Sequence, residues 1–261
     1  MGKFPVETIR HSAAHVMAAA VQKLFNDVRF DIGPATDDGF YYDFDMAARL
    51  TPEDLEKIEK EMKAIIKANV PFEYFELSRA EAEAMLKERG QNYKLERLAD
   101  IPEGEVVSFY KTGDFVDLCR GPHVESSGQI GAVKLLSIAG SYFRGDEKNP
   151  MLQRIYGTAW ATKDELKAYL KKREEAAKRD HRVLGKKLDL FHFQQEAPGM
   201  VFWHNDGWTI YRVIENFMRE MLHKYHYIEV KTPQIMDRVL WERSGHWDKY
   251  AENMFTTSSE N

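Results

Sequence analysis

The chain has 261 residues, 43% of them hydrophobic and 30% charged, with a mean hydropathy of −0.54, enough for one large domain or two ordinary ones. No run approaches the roughly 18–20 apolar residues of a membrane span, and no signal-type stretch opens the chain. A single cysteine rules out an internal disulfide framework, so a reducing cytoplasm is the simplest setting.

From residue 6 to 25, Ile9, Ala13, Val16, Met17, Ala20, Val21 and Leu24 follow helical spacing with one buried face. His11 and His15, four apart, project from the same side of that helix. Gly-Pro and Asp-Asp-Gly then mark turns in residues 30–45, and Phe40-Tyr41-Tyr42 reads as strand. Thr51-Pro52-Glu53-Asp54 starts a helix that carries Leu55, Ile58, Met62, Ile65 and Ile66 on one face. Ser78 and Glu81 form the capping box of another helix, closed by Gly90. Residues 104–118 and 130–160 read mainly as strands and turns, so the first 160 residues predict an α+β fold with antiparallel strands.

Thr162 and Glu165 open a further capping box and a basic helix with a sparse apolar stripe (Leu166, Tyr169, Leu170, Ala176, Ala177), as suits a connector. Net charge is −5, which argues against a general nucleic-acid binder, yet residues 163–187 hold ten Lys/Arg against five Asp/Glu. That segment is either a solvated helix face or a phosphate-facing surface whose binding would weaken with salt. Beyond residue 185 aromatic residues crowd around APGM and NDGW. A helix is predicted over about 209–225, then a strand at Tyr227–Lys231 and Pro233, while FTTSSEN ends the chain with no completing element.

Two segments each present soft, titratable side chains four apart, H-S-A-A-H at 11–15 and C-R-G-P-H at 119–123. Gly121 and Pro122 exclude a helix for the second, which becomes a tight loop after a strand ending near Val116. By residue type alone, four such groups read as a tetrahedral zinc site, or as groups that position water near neutral pH. The first pair lacks the glutamate a zincin-type protease uses as its base.

The joint pattern HSAAH, IGPATDDGFYYDF, DLCRGPH, GSYFRGD and MLQRIYGTAW resembles the editing domain of bacterial-type threonyl-tRNA synthetases. The resemblance continues through EAPGMVFWHNDGWTIYR and MDRVLWERSGHWDKY over essentially the whole chain, as a piece of a longer enzyme. It implies an editing domain at 1–162, a linker helix at 163–182 and, at 183–261, the start of an antiparallel class II catalytic core with motif 1, a dimer interface in the family. It implies hydrolysis of the seryl ester of mischarged tRNA(Thr), with Lys94, His123 and His11 as catalytic residues and His15, Tyr42, Asp117 and Cys119 contacting substrate. In these roles Lys94 and His123 hold the attacking water and stabilise charge. Asp117 accepts from the substrate, and Tyr42 bonds the terminal ribose or closes the pocket by packing. The expected partner is the tRNA(Thr) acceptor end carrying serine. No metal is expected in the editing site, zinc being the alternative. ATP, Mg and a catalytic zinc go with motifs 2 and 3, which these residues lack, so the chain is not expected to aminoacylate. A ligase segment without chemistry of its own, or a non-catalytic tRNA-binding module built on the basic helix, are the rival readings.

Overall fold

Helix α1, Val6–Leu24, is the element around which the first part of the molecule is built. The computed structural model describes residues 4–257, so the reading at 258–261 falls outside them. An amphipathic helix ordinarily buries one stripe. Here Ile9, Ala13, Ala14, Val16, Met17, Ala18, Ala20 and Val21 are all buried, together with the polar Arg10, Ser12 and His15. Its many alanines leave little side-chain bulk between the helix and the elements around it.

After α1 come strands β1 (Arg29–Phe30) and β2 (Phe40–Asp45), helix α2 (Pro52–Ala68) and strand β3 (Phe72–Leu77). Helices α3 (Arg79–Glu88) and α4 (Asn92–Ala99) precede strands β4 (Val107–Thr112) and β5 (Phe115–Leu118). The long strands β6 (Ala132–Tyr142) and β7 (Met151–Trp160) and helix α5 (Lys163–Lys178) follow. One antiparallel sheet has the order β1-β2-β7-β6 and a second the order β3-β4-β5. The fold is α+β, in agreement with the sequence pattern.

The predicted caps form. Asp54 accepts from Thr51 N at 3.0 Å, Glu81 from Ser78 N at 2.9 Å and Glu165 from Thr162 N at 3.0 Å, while Gly90 takes the left-handed conformation after α3. Strand β3 and helix α4 have no counterpart in the sequence reading. The first, at a sheet edge, is mostly exposed, with Phe72, Phe75 and Leu77 half-buried between glutamates and an exposed Tyr74. The second has eight residues and no side-chain cap, and so short a helix is marginal without tertiary support.

That support is visible. Arg97 on α4 donates to both oxygens of buried Asp31, at 2.7 and 2.9 Å, and Tyr93 donates to Asp45 at 3.0 Å. The Gln91 side chain accepts from Phe30 N and donates to Val28 O, at 2.9 and 3.0 Å. Helix α4 is thereby tied to the chain around β1.

The chain divides at Lys178/Arg179 into two compact units. The basic stretch read as one helix is two, because Asp180 caps a new helix α6 (His181–Lys187) by accepting from Arg182 N at 2.8 Å. The second unit then has a short ladder of β8 (Phe191–His192) and β9 (Phe202–Trp203), helix α7 (Asn205–Lys224), and helices α8 (Arg238–Arg243) and α9 (His246–Tyr250). Helix α7 begins four residues before the predicted start. Gly207 of the NDGW stretch lies inside the helix, where a Cβ would fall 1.9 Å from the carbonyl oxygen of Leu190. The strand predicted at Tyr227–Lys231 does not form. Those residues carry no regular secondary structure, join no sheet among the described residues and are exposed, and a strand needs a neighbour to complete its hydrogen bonds.

Replacing Arg97 with Ala leaves the Asp31 carboxylate buried without its partner. The expected cost is about 2–3 kcal/mol, below the 3–5 kcal/mol of a wholly buried pair because Arg97 is partly exposed. Urea unfolding of the two proteins checks this.

Candidate functional site

Four elements of the first unit converge on one place. Helix α1 supplies His11 and His15, β2 supplies Tyr42, α4 supplies Lys94, and β5 with its following loop supplies Asp117, Cys119 and His123. All seven residues singled out in the sequence meet here.

The site has a closed floor and a partly open rim. His15, Tyr42, Lys94 and Asp117 are exposed by 1, 0, 4 and 3% respectively, whereas His11, Cys119 and His123 are only half-buried. On the floor, Lys94 Nζ forms an ion pair with Asp117 Oδ1. Tyr42 donates its hydroxyl to Asp117 Oδ2 at 2.5 Å, with His15 Nε2 at 3.4 Å from the same oxygen. Lys94 also lies 5.5 Å from the centre of the Tyr42 ring. Tyr42 is packed from several sides. Its ring stacks on Phe44 and meets Phe30 and Phe115 edge-on, and its hydroxyl is committed to Asp117 rather than free for a ribose.

Gly33 makes room for that ring, since a Cβ there would sit 2.0 Å from it. Burial, then Asp117, push the Tyr42 phenol well above its ordinary pKa, which keeps it a donor.

At the rim, Cys119 Sγ is 3.4 Å from both His11 Nε2 and His123 Nε2, and it accepts from Gly121 N at 3.2 Å. The His123 ring centre is 4.2 Å from those of both His11 and His15. The loop can turn so tightly because Gly121 has φ +73° and its Cα lies against the Tyr110 ring, leaving no room for a side chain. Strand β5 runs to Leu118, two residues past the expected end.

Burial is the first cause lowering the pKa of all three histidines, most strongly for His15 and His123, where neighbouring basic groups add to it, whereas Asp117 partly offsets it at His11. Burial, then Asp117, push the Cys119 thiol up to about 12. At neutral pH the rim is thus uncharged, and beneath it lies the Lys94–Asp117 ion pair. By donor type and spacing the rim together with His15 of the floor fits a zinc ion. The ligand atoms of His11, His15, Cys119 and His123 lie within 4.8 Å of one another, and the two 3.4 Å Cys–His separations suit a tetrahedron with bonds of about 2.0–2.3 Å.

The sequence reading missed Phe72, which stacks on His123 with ring centres 5.0 Å apart, Tyr110 at 4.4 Å, and Ser12. The aromatics sit on strands β3 and β4, where only strand pairing brings them to the loop. Ser12 lay in plain view inside H-S-A-A-H.

A family model described as the threonyl and alanyl tRNA synthetase second additional domain matches residues 107–156, a stretch that holds Asp117, Cys119 and His123. The threonine–tRNA ligase of Hahella chejuensis is 58% identical over 255 residues, 98% of this chain and 40% of the relative. Those of Marinobacter nauticus and Clostridium tetani are 55% and 56% identical over the same lengths and shares. The chain belongs to the threonyl-tRNA synthetase family. It spans about two-fifths of the length of these curated relatives.

Two outcomes follow for this synthetase segment. The three rings are neutral when folded, so below the ordinary imidazole pKa of 6.5 the unfolded chain takes up protons that the folded one does not. Stability then falls as pH drops below about 6.5, by up to about 1.4 kcal/mol per pH unit for each ring. Urea midpoints at pH 7 and pH 5 read the loss, and the His15→Gln variant should show a shallower one. Second, a thiol held protonated reacts slowly. Iodoacetamide labelling of Cys119 at pH 8 should be about tenfold or more slower than that of a cysteine peptide, and should reach the peptide rate in urea.

Proposed function

We propose that the first unit hydrolyses the ester of mischarged tRNA, releasing serine from seryl-tRNA(Thr) as the editing step of a threonine–tRNA ligase. The observation that carries this reading is the buried Lys94–Asp117–Tyr42 group beneath a rim of neutral histidines. A buried ion pair is a poor investment in stability, and its placement against a cluster of titratable groups is a common mark of chemistry.

The selectivity such a step needs is easily stated. Serine differs from threonine by one methyl group, which yields only about 1–3 kcal/mol of discrimination at a first site. A second site that hydrolyses what is small enough to enter makes good the shortfall. His11, His15 and Cys119 form walls against which the extra methyl of threonine has little room.

In the reaction, water attached to His123 attacks the ester carbonyl. The bond from that carbon to the ribose oxygen breaks, and the ribose oxygen receives a proton, leaving serine and uncharged tRNA. Lys94 is the one cation of the floor and is aimed at developing negative charge. Asp117 acts first through Lys94, since both its oxygens face protein partners. A zinc ion held by His11, Cys119 and His123 would supply Lewis-acid polarisation of the carbonyl; the reading here needs none.

By the same reading the partner is the acceptor end of tRNA(Thr), the setting is the cytoplasm, and the parent enzyme dimerises through the second unit. The reading keeps residues 1–162 as editing domain, 163–182 as linker and 183–261 as the start of the catalytic core.

Deacylation of seryl-tRNA(Thr) against threonyl-tRNA(Thr) tests the proposal. Serine release should be selective, and Lys94→Ala and His123→Ala should each lower it by about 100-fold or more. Near-normal hydrolysis by both variants, or tRNA binding without turnover, would sink it. Chelator treatment should leave the rate unchanged, with elemental analysis reporting no stoichiometric zinc.

A further inference from the structure

Ser12 is fully buried on α1, so no water competes for its hydroxyl. Three groups surround its Oγ: Thr8 O at 2.8 Å, Val124 N at 3.0 Å and His123 Nδ1 at 3.1 Å. A serine hydroxyl has one proton to give and two lone pairs to offer. Val124 N–H is a donor and occupies one lone pair. The proton goes either to Thr8 O or to His123 Nδ1.

The distances decide between them. If the proton went to His123, Oγ and the Thr8 carbonyl oxygen would face each other at 2.8 Å with no hydrogen between them, a repulsive contact of two acceptors. With the proton on Thr8 O, the 2.8 Å separation is an ordinary O–H···O bond, in the back-bonded geometry common for serine inside a helix. The remaining lone pair must then accept from His123 Nδ1–H, and 3.1 Å lies within the N–H···O range.

We infer that Ser12 is a positioning residue: its hydroxyl holds His123 in the tautomer protonated on Nδ1 and turns a bare Nε2 toward the rim, 3.4 Å from Cys119 Sγ. Through Val124 N the same hydroxyl also ties the end of the loop to α1, so ring and loop share one anchor. The catalytic consequence rests on the hydrolase reading above. Water gives a proton to Nε2 as its oxygen bonds the ester carbon, and Nε2–H passes that proton to the departing ribose oxygen while Nδ1–H stays on Ser12. A ring of the other tautomer has no lone pair at Nε2 with which to begin.

The tautomer is read directly from the imidazole nitrogen shifts of histidine-labelled protein at neutral pH, with His123 assigned by comparison with His123→Asn. Protonated Nδ1 and bare Nε2 are expected, and a proton resident on Nε2 overturns the inference outright. In S12A the His123 signals should shift toward a mixture of tautomers, and kcat for seryl-tRNA(Thr) deacylation should fall by about tenfold or more with KM little changed. S12T retains the hydroxyl and should restore both readings. An S12A protein with unchanged tautomer and unchanged kcat also overturns the assignment. The wild-type spectrum decides it even if S12T fails to fold. A ring protonated on Nδ1 in a protein inactive on seryl-tRNA(Thr) upholds the Ser12 assignment and defeats only the hydrolase reading.

Discussion

The ion pair between Lys94 and Asp117 is the interaction on which the first unit depends. Both groups are almost wholly removed from water, and each charge is tolerable only because the other is there. Lys94 comes from a short helix and Asp117 from the centre of a short strand, neither of which is strong alone. Their meeting requires α4 to be held in place, which the Arg97–Asp31 and Tyr93–Asp45 contacts do. It also requires the β4–β5 pairing, which sets Asp117 opposite Tyr110. A partly buried pair, Arg154 with Asp43 at 2.7 Å on neighbouring strands β7 and β2, ties together the sheet that carries Tyr42. The charged floor is thus built by three separate elements, each fixed by its own polar contacts.

The rim follows the opposite logic. Three imidazoles and a thiol stand within touching distance, and burial keeps all four neutral. Imidazole nitrogens at this spacing, with a thiol that would have to lose its proton to ligate a metal, suit either a metal or water, and the residue types alone do not choose. What gives the cluster a direction is its attachment, with Ser12 on one side of His123 and Gly121 N on one side of Cys119. Beneath the cluster lies the buried Lys94–Asp117 pair.

The second unit is held differently. Helix α7 leaves Trp208, Ile210, Tyr211, Val213, Ile214 and Phe217 between 41 and 64% exposed, and almost none of its residues is buried. The sequence from Tyr227 to Lys231 has the composition of a strand, yet it joins no sheet among the described residues.

Much was legible from the sequence by itself. The amphipathic stripe of residues 6–25, the three capping boxes and the turn at Gly121-Pro122 are local signals, and local sterics and hydrogen bonding carry them into the structure. The seven site residues were legible too, though only His11 with His15 and Cys119 with His123 by spacing; Tyr42, Lys94 and Asp117 came from the family's motifs. Tertiary structure alone decided the rest. It made helix from 92–99 by anchoring Arg97, set Gly207 inside α7 by close approach to Leu190, and divided the site into floor and rim. It also gave Ser12 its place, because a serine's role rests on which donors and acceptors surround it, and here these come from a loop more than a hundred residues away. Periodicity records which face of an element is buried; only the packed chain determines what that face meets.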